Sequence, residues 1–125
     1  RSLDLGGSRL EADGARLLAE GLRGVSTLSC LSLALCAISQ EGVEALSPVF
    51  TSNPRLTVLN LDCNKLCEGG ARALASSLEG QTGLRSLDVG CNYMGKAGLE
   101  ALSGVLQANT GLQTLRLGCN DFGWG

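Results

Sequence analysis

The sequence predicts an α/β fold: a right-handed solenoid with parallel strands on its concave face and helices on its convex face. One observation is a 28-residue repeat without insertion or deletion. A second is that each repeat joins a two-residue apolar alternation, typical of a strand, to a helical periodicity. No single unit of this kind can bury its apolar faces, so the units must stack. Five columns repeat at this spacing: Leu28, Leu56, Leu84 and Leu112; Leu3, Leu31, Leu59, Leu87 and Leu115; Leu5, Leu33, Leu61, Val89 and Leu117; Leu10, Ile38, Leu66, Met94 and Phe122; Gly14, Gly42, Gly70 and Gly98.

Each unit contains a strand, a turn, a helix and a loop that leads back to the next strand. In the fourth unit, Leu87 and Val89 lie two residues apart and therefore point to the same side of a strand. Apolar residues then recur at three- and four-residue steps through 97–107, which predicts an amphipathic helix. Pro48 falls within the second predicted helix, which we expect to be kinked there or restarted with Ser47 as its cap. The predicted strands are 2–6, 30–34, 58–62, 86–90 and 114–118, and the predicted helices are 13–23, 41–51, 69–79 and 97–107.

We expect one domain over residues 1–125, made of about four and a half repeats. Solenoids protect their ends with polar capping repeats. Neither end of this sequence offers one, so it resembles a segment of a longer array. Exposed strand edges pair with other chains, which predicts end-to-end self-association. The repeats divide the chain at 1–27, 28–55, 56–83, 84–111 and a partial 112–125.

Composition excludes several classes of function. Ten basic and 12 acidic residues are dispersed along the chain, so we expect no nucleic-acid partner and no membrane partner. Histidine is absent, which removes Ser/His/Asp and Cys/His catalytic groups. The six cysteines contain no Cys-x-x-Cys motif, and we interpret them as reduced thiols of an intracellular, cytoplasmic protein. We expect no cofactor and no enzymatic activity.

The third repeat carries a recognisable motif. Leu-Thr-Val-Leu-Asn-Leu-Asp-Cys-Asn-Lys-Leu (56–66), followed by Gly70 and Ala73-Leu74, resembles the leucine-rich repeat of the ribonuclease-inhibitor type. The resemblance implies a horseshoe-shaped array that binds other proteins. Ribonuclease inhibitor itself alternates two repeat lengths, so the constant 28 favours its relatives. These are NOD-like receptors, Ran GTPase-activating proteins and tropomodulin-like proteins.

Asn64, Asn92 and Asn120 form a polar column directly after the strands, where Ser8 and Cys36 hold the equivalent places. An inward asparagine can satisfy backbone groups of the turn that would otherwise be buried without partners. The alternative is a catalytic asparagine, which the resemblance to Ran GTPase-activating proteins allows. Catalysis needs one placed residue, whereas this column recurs in three turns, so we interpret it as a structural ladder.

The outward-facing strand positions supply the candidate binding residues. Most of these positions are small, which leaves the concave wall open. The charged and amide exceptions cluster, and like charges side by side cost stability, which indicates a basic or donor-rich protein partner. A solvated polar face without a partner is an equal alternative. Tyr93 on the rim is a secondary contact candidate, with packing over the next repeat as the equal alternative. The predicted partner-binding residues are Asp4, Asn60, Asp62, Arg85, Asp88, Arg116 and Tyr93.

Cys63, Cys91 and Cys119 share a column beside those asparagines, about 4.8 Å apart if the strands are parallel. With no histidine to complete a tetrahedral site, we expect no metal here. Oxidative cross-linking is the more plausible chemistry of these thiols.

We therefore predict a non-catalytic module that binds another protein through its concave face and rim. Two alternatives stay open. The chain could be the ligand-sensing or autoinhibitory repeat domain of a NOD-like receptor, which requires a nucleotide-binding domain upstream. It could also be a segment of a Ran-type GTPase-activating protein, although no arginine of this sequence can be matched to a catalytic arginine finger. Fold alone does not choose among them.

Overall fold

The computed structural model describes residues 1–120, in which strands and helices alternate. The predicted apolar anchor Phe122 lies outside the described residues. No helix within residues 1–120 is both long and apolar enough to cross a bilayer. The elements are β1 (Ser2–Asp4), α1 (Glu11–Gly21), β2 (Cys30–Ser32), α2 (Ser39–Thr51), β3 (Val58–Asn60), α3 (Cys67–Leu78), β4 (Ser86–Asp88), α4 (Gly95–Ala108) and β5 (Thr114–Arg116).

The strands form one parallel sheet in the order β1-β2-β3-β4-β5. Every pair is in register at a spacing of 28 residues, so that Leu31 pairs with Leu59 and Leu59 with Leu87. Each helix packs on the helix of the next repeat. The predicted α/β solenoid is confirmed, and sequence neighbours in the array are also neighbours in space.

The core lies between the sheet and the helix layer. The middle residue of each inner strand is buried, as are the turn anchors Ile38, Leu66 and Met94 and the inner helix face. Burying a leucine side chain contributes about 1.5–3 kcal/mol. Because only one side of each strand is buried, the opposite side is free to carry function. The buried helix residues include Leu46, Leu74 and Leu102.

The predicted bounds differ from the observed ones by two residues at two places in each repeat. Strands end two residues earlier and helices begin two residues earlier than predicted. The reason is a left-handed residue in each turn, such as Leu35 (φ 59°) and Cys63 (φ 57°), which ends the extended conformation. Backbone pairing nevertheless continues, since the Leu35 N–H donates to the Asp62 carbonyl at 2.9 Å. Backbone hydrogen bonds between neighbouring repeats therefore continue beyond the last residue of each strand.

Helix α2 runs through Pro48 without interruption. The alternative of a restart at Ser47 is therefore wrong. Proline lacks an N–H, so the carbonyl of Glu44 one turn earlier loses its helical partner. Bonding resumes directly afterwards, where the Ser52 N–H donates to the Pro48 carbonyl at 3.0 Å.

Candidate functional site

The concave wall carries one polar column along the centre of the sheet. Strand pairing places its members side by side, one from each strand, at a spacing of about 4.8 Å. Asn60 lies next to Asp88, and Asp88 lies next to Arg116, while Asp4 is two strands away from Asn60. The full column is Asp4, Ser32, Asn60, Asp88 and Arg116.

Three members of this column also hold the turn that follows their strand. The Gly6 N–H donates to Asp4 Oδ1 at 2.9 Å, and the Gly90 N–H donates to Asp88 Oδ1 at 3.0 Å. Asn60 Oδ1 accepts the N–H two residues on in the same way, at 3.0 Å. Short polar side chains often make such local bonds. The signal in the sequence was the Asp-x-Gly spacing at both aspartates, which the prediction missed.

Asp62 differs from these residues because its carboxylate is not committed to the backbone. Its column otherwise holds only small residues, and a Cβ at Gly90 would lie 2.8 Å from Asp62 Oδ1. The carboxylate thus occupies space that the missing side chain of Gly90 leaves open. The Cys63 thiol donates to Asp62 Oδ2 at 3.4 Å. The column is Gly6, Ala34, Asp62, Gly90 and Gly118.

Asp62, Asp88 and Arg116 line a depression of about 460 Å³ on the concave wall. Within residues 1–120, the ion pairs join helix residues only, and none includes these three side chains. Both carboxylates are half-buried and Arg116 is exposed. Charge on this wall is therefore left available to an external group.

The other predicted contact residues lie apart from this depression. Arg85 precedes β4, and its guanidinium fills the space that a Cβ at Gly111 would need. The structure therefore does not bring Arg85 to Asp62. Tyr93 is 67% exposed on the rim and has a left-handed backbone (φ 56°). Arg9, Ala37 and Lys65 share its place and its positive φ.

The thiols of Cys63, Cys91 and Cys119 lie along the edge of the concave wall, next to Asp62. Hydrogen bonding with Cys119, together with burial and a hydrogen bond with Cys63, raises the pKa of the Cys91 thiol to about 12. Burial, and then the hydrogen bond to Asp62 and its charge, raises the pKa of Cys63. Both groups are therefore thiols at neutral pH. All six cysteines are free.

The asparagine column lies behind the wall and is fully buried. Asn92 Oδ1 accepts the N–H of Asn64 at 2.7 Å and the N–H of Leu66 at 3.4 Å. Its amide nitrogen donates to the carbonyls of Leu61 and Gly90, both at 2.9 Å. Asn64 and Asn120 repeat this arrangement in their own turns. Each amide thereby links two successive turns and fixes the edge that carries Asp62 and the thiols.

The first turn lacks this arrangement because the next repeat offers Cys36 instead of asparagine. The Cys36 thiol donates to the Leu5 carbonyl at 3.1 Å, the bond that an asparagine amide makes elsewhere. Sulfur is a weak acceptor, so the Ser8 N–H donates to the Leu5 carbonyl instead, at 3.1 Å. The different bonding of the first turn is therefore caused by Cys36 of the next repeat.

Comparison with known proteins agrees with this geometry. A family model described as "Leucine Rich repeat" matches residues 26–47, 52–75 and 82–103, which together make up more than half of the chain. The chain belongs to the leucine-rich repeat family. A search of curated proteins finds no match.

Among solved structures, this leucine-rich repeat chain is similar to the tropomodulin C-terminal domain of Caenorhabditis elegans. The TM-score is 0.79 at 19% identity, over 94% of this chain and 72% of that one. At this identity the likeness shows the fold alone.

The leucine-rich repeats contain a second buried amide column that the sequence analysis missed. It lies at the helix ends, where Asn53 Oδ1 accepts the Leu28 N–H at 2.9 Å and Gln81 Nε2 donates to the Phe50 carbonyl at 2.6 Å. Asn109 Nδ2 donates to the Gln81 carbonyl at 2.9 Å. The column holds both Asn and Gln, so a search for identical letters does not find it.

Two further depressions of the leucine-rich repeats lie on the convex side, between α1 and α2 (about 420 Å³) and between α3 and α4 (about 560 Å³). Short side chains facing one another, such as Ala45, Ala75, Ala101 and Gly104, account for them. Neither gathers any residue predicted for partner binding. We therefore place the candidate site on the concave wall.

Proposed function

We propose that this chain is a non-catalytic binding module that recognises another protein through its concave wall and rim. The observation that carries the proposal is the pair of carboxylates at Asp62 and Asp88, which face an open depression and form no ion pair within residues 1–120. Leucine-rich repeats generally serve as protein-interaction modules, which supports this assignment. The 28-residue repeat with helices on its convex side favours the ribonuclease-inhibitor type.

The chemistry of the wall specifies the kind of partner. The exposed Gly118, which has no side chain, allows a partner to approach the backbone closely. A lysine or arginine of the partner would meet Asp62 and Asp88, and an acceptor would meet Arg116. Complementary charge of this kind steers encounter and sets specificity. Tyr93 on the rim would add apolar contact, since exposed tyrosines are frequent anchors of interfaces.

A sensing or autoinhibitory arm of a NOD-like receptor would use the same wall on a neighbouring domain, so the experiment below also bears on that alternative. An intracellular location suits six free cysteines, because thiols stay reduced there.

The test is a charge change on the wall that spares the fold. Asp62→Lys removes a carboxylate without a backbone bond, and Asp88→Asn removes charge while keeping an oxygen for the Gly90 N–H. We expect the double variant to bind partners captured by the wild-type chain from a cell lysate at least tenfold more weakly, or about 1.4 kcal/mol. Quantitative mass spectrometry identifies the captured proteins, and titration calorimetry with each purified partner gives the affinity.

The matched control is Glu79→Lys with Glu100→Gln, which changes the net charge equally on the convex side, where both residues are exposed. The control should bind like the wild type. Partners that bind the wall variant and the wild type equally would contradict the proposal, and so would partners lost equally from both variants.

A further inference from the structure

The thiol column on the rim is held in a repeated and unusual backbone geometry. Cys63, Cys91 and Cys119 are all left-handed, with φ of 57°, 52° and 61°. The Cys63 N–H donates to the Gly90 carbonyl at 2.9 Å, and the Cys91 N–H donates to the Gly118 carbonyl at 2.7 Å. Identical backbone conformation at adjacent positions of a parallel stack aims the side chains in the same direction. The thiols therefore lie in a row, and each of the two outer ones neighbours Cys91.

A carboxylate completes the group. One carboxylate oxygen of Asp62 and the Sγ atoms of Cys63 and Cys91 all lie within 4.8 Å of one another. Gly90 makes this possible, because any side chain there would displace the Asp62 carboxylate. All three residues are half-buried, which leaves access from the solvent. The sequence predicted no metal here because it offers no histidine to complete a tetrahedral site, whereas the fold brings the Asp62 carboxylate to both thiols as an oxygen ligand.

We propose that Cys63, Cys91 and Asp62 form a site for a thiophilic divalent cation of the Zn²⁺ type. Two thiolates and one carboxylate supply three ligands, and water supplies the fourth, as in open tetrahedral zinc sites. Zn–S distances are about 2.3 Å, so the side chains have to rotate inward from a present separation of up to 4.8 Å. Each thiol releases its proton to water when the metal binds.

The ligand set decides which cations fit. Thiolates select Zn²⁺ and other soft ions, whereas Mg²⁺ and Ca²⁺ prefer oxygen ligands. Asp88 lies near Cys63 and adds negative charge to the surroundings. Cys119 lies beyond Cys91 and outside the three-residue group, so its sulfur is dispensable for this site. The site goes beyond the proposed protein-binding function and does not depend on it.

The experiment uses the reduced 125-residue chain with Co²⁺ as a spectroscopic probe and Zn²⁺ as the competitor. We expect a sulfur-to-cobalt charge-transfer band that saturates at one Co²⁺ per chain and disappears when Zn²⁺ is added. Excess Mg²⁺ or Ca²⁺ should leave the band unchanged. Titration calorimetry with Zn²⁺ should give the same stoichiometry. Absence of a saturable band would overturn the proposal, as would its loss to Mg²⁺.

Variants separate this site from the other thiols. Cys63→Ser and Cys91→Ser should abolish the band, and Asp62→Asn should weaken Zn²⁺ binding at least tenfold. Cys30→Ser and Cys67→Ser, which remove thiols outside the group, should bind like the wild type. Gly90→Ala keeps all three ligands yet moves the Asp62 carboxylate, so we expect weaker binding with a preserved circular dichroism spectrum.

An equal loss of metal binding in the two control variants, or binding that needs Cys119 but not Cys63, would overturn the assignment. No partner protein enters these measurements, so their outcome is independent of the test of the concave wall.

Discussion

A single asparagine amide supplies the hydrogen bonds that two stacked turns cannot make with each other. The N–H groups of Cys63 and Cys67 donate to backbone carbonyls of the next turn, whereas the N–H groups of Asn64 and Leu66 between them donate to the Asn92 side chain. Asn92 meets two of these N–H groups and two carbonyls. A buried polar group without a partner costs about 1–3 kcal/mol, which makes this one side chain a strong determinant of stability.

Asn92→Ala tests that role. The change leaves several buried backbone groups without partners, so we expect the free energy of unfolding to fall by at least about 3 kcal/mol. Urea denaturation followed by circular dichroism measures it. Asn60→Ala is the comparison, because it removes one bond at a half-buried position and should cost only about 0.5–1.5 kcal/mol. Equal losses in the two variants would contradict the ladder.

The role of a residue could be predicted where the same residue type recurs every 28 positions, and could not be predicted where the residue type varies. Asn64, Asn92 and Asn120 recur unchanged, and their pattern indicated buried amides. Gln81 stands between Asn53 and Asn109 in the second amide column, and a longer side chain at one position hides the common function. The use of Asp4 and Asp88 as turn acceptors depends on a local backbone shape that charge counting ignores.

At the scale of elements, the sequence predicted every strand and helix of residues 1–120, but the strands end two residues earlier and the helices begin two residues earlier than predicted. The early strand ends have one cause, which is positive φ in each turn, in most repeats at a residue that is not glycine. Leu35, Cys63 and Cys91 adopt a left-handed conformation that is usual for glycine. Their residue types therefore gave no sequence signal for the position of the turn. Stacking on the next repeat, through backbone bonds to Asp62 and Gly90, holds them there.

The glycine column has a packing reason that its periodicity alone did not reveal. A Cβ at Gly98 would lie 2.6 Å from the Met94 Cβ and 3.2 Å from the Ala71 Cβ of the preceding helix. Gly42 meets Ile38 and Ala15 in the same way. These glycines allow each helix to approach both its own turn and its neighbouring helix.

Two substitutions in α4 should therefore have opposite effects. Gly98→Ala overpacks the contact with Met94 and Ala71, and we expect a loss of about 1–3 kcal/mol. Gly104 has no atom within 4 Å of its would-be Cβ, so Gly104→Ala should add about 0.5–1 kcal/mol through helix propensity. Thermal and urea unfolding of both variants measure the difference. A Gly98→Ala variant as stable as Gly104→Ala would show that the helices are not in close contact there.

At the scale of the whole molecule, stability is a sum over adjacent repeats. Within residues 1–120, contacts between helices join neighbouring repeats only, and each strand pairs only with its sequence neighbours. Inner strands bury their middle leucine fully, whereas Leu115 of β5 is 37% exposed. The energetic weak points are thus the outermost repeats of the array.

In the part of the chain that the structure describes, β1 and β5 each have one neighbouring strand. Their open edges can pair with each other between molecules, because a solenoid repeats the same parallel register along its axis. We therefore expect the 125-residue chain to associate end to end, with a scattering mass that rises with concentration. Ser2→Lys together with Thr114→Lys places like charges on both edges, where the native side chains are exposed, and should shift the chain towards monomer.

The matched variant, Ser76→Lys with Gln107→Lys, adds the same charge on the exposed convex side and should leave association unchanged. A wild-type chain that stays monomeric at high concentration would disprove edge pairing. Equal dissociation in both variants would mean that net charge, and not the strand edges, controls association.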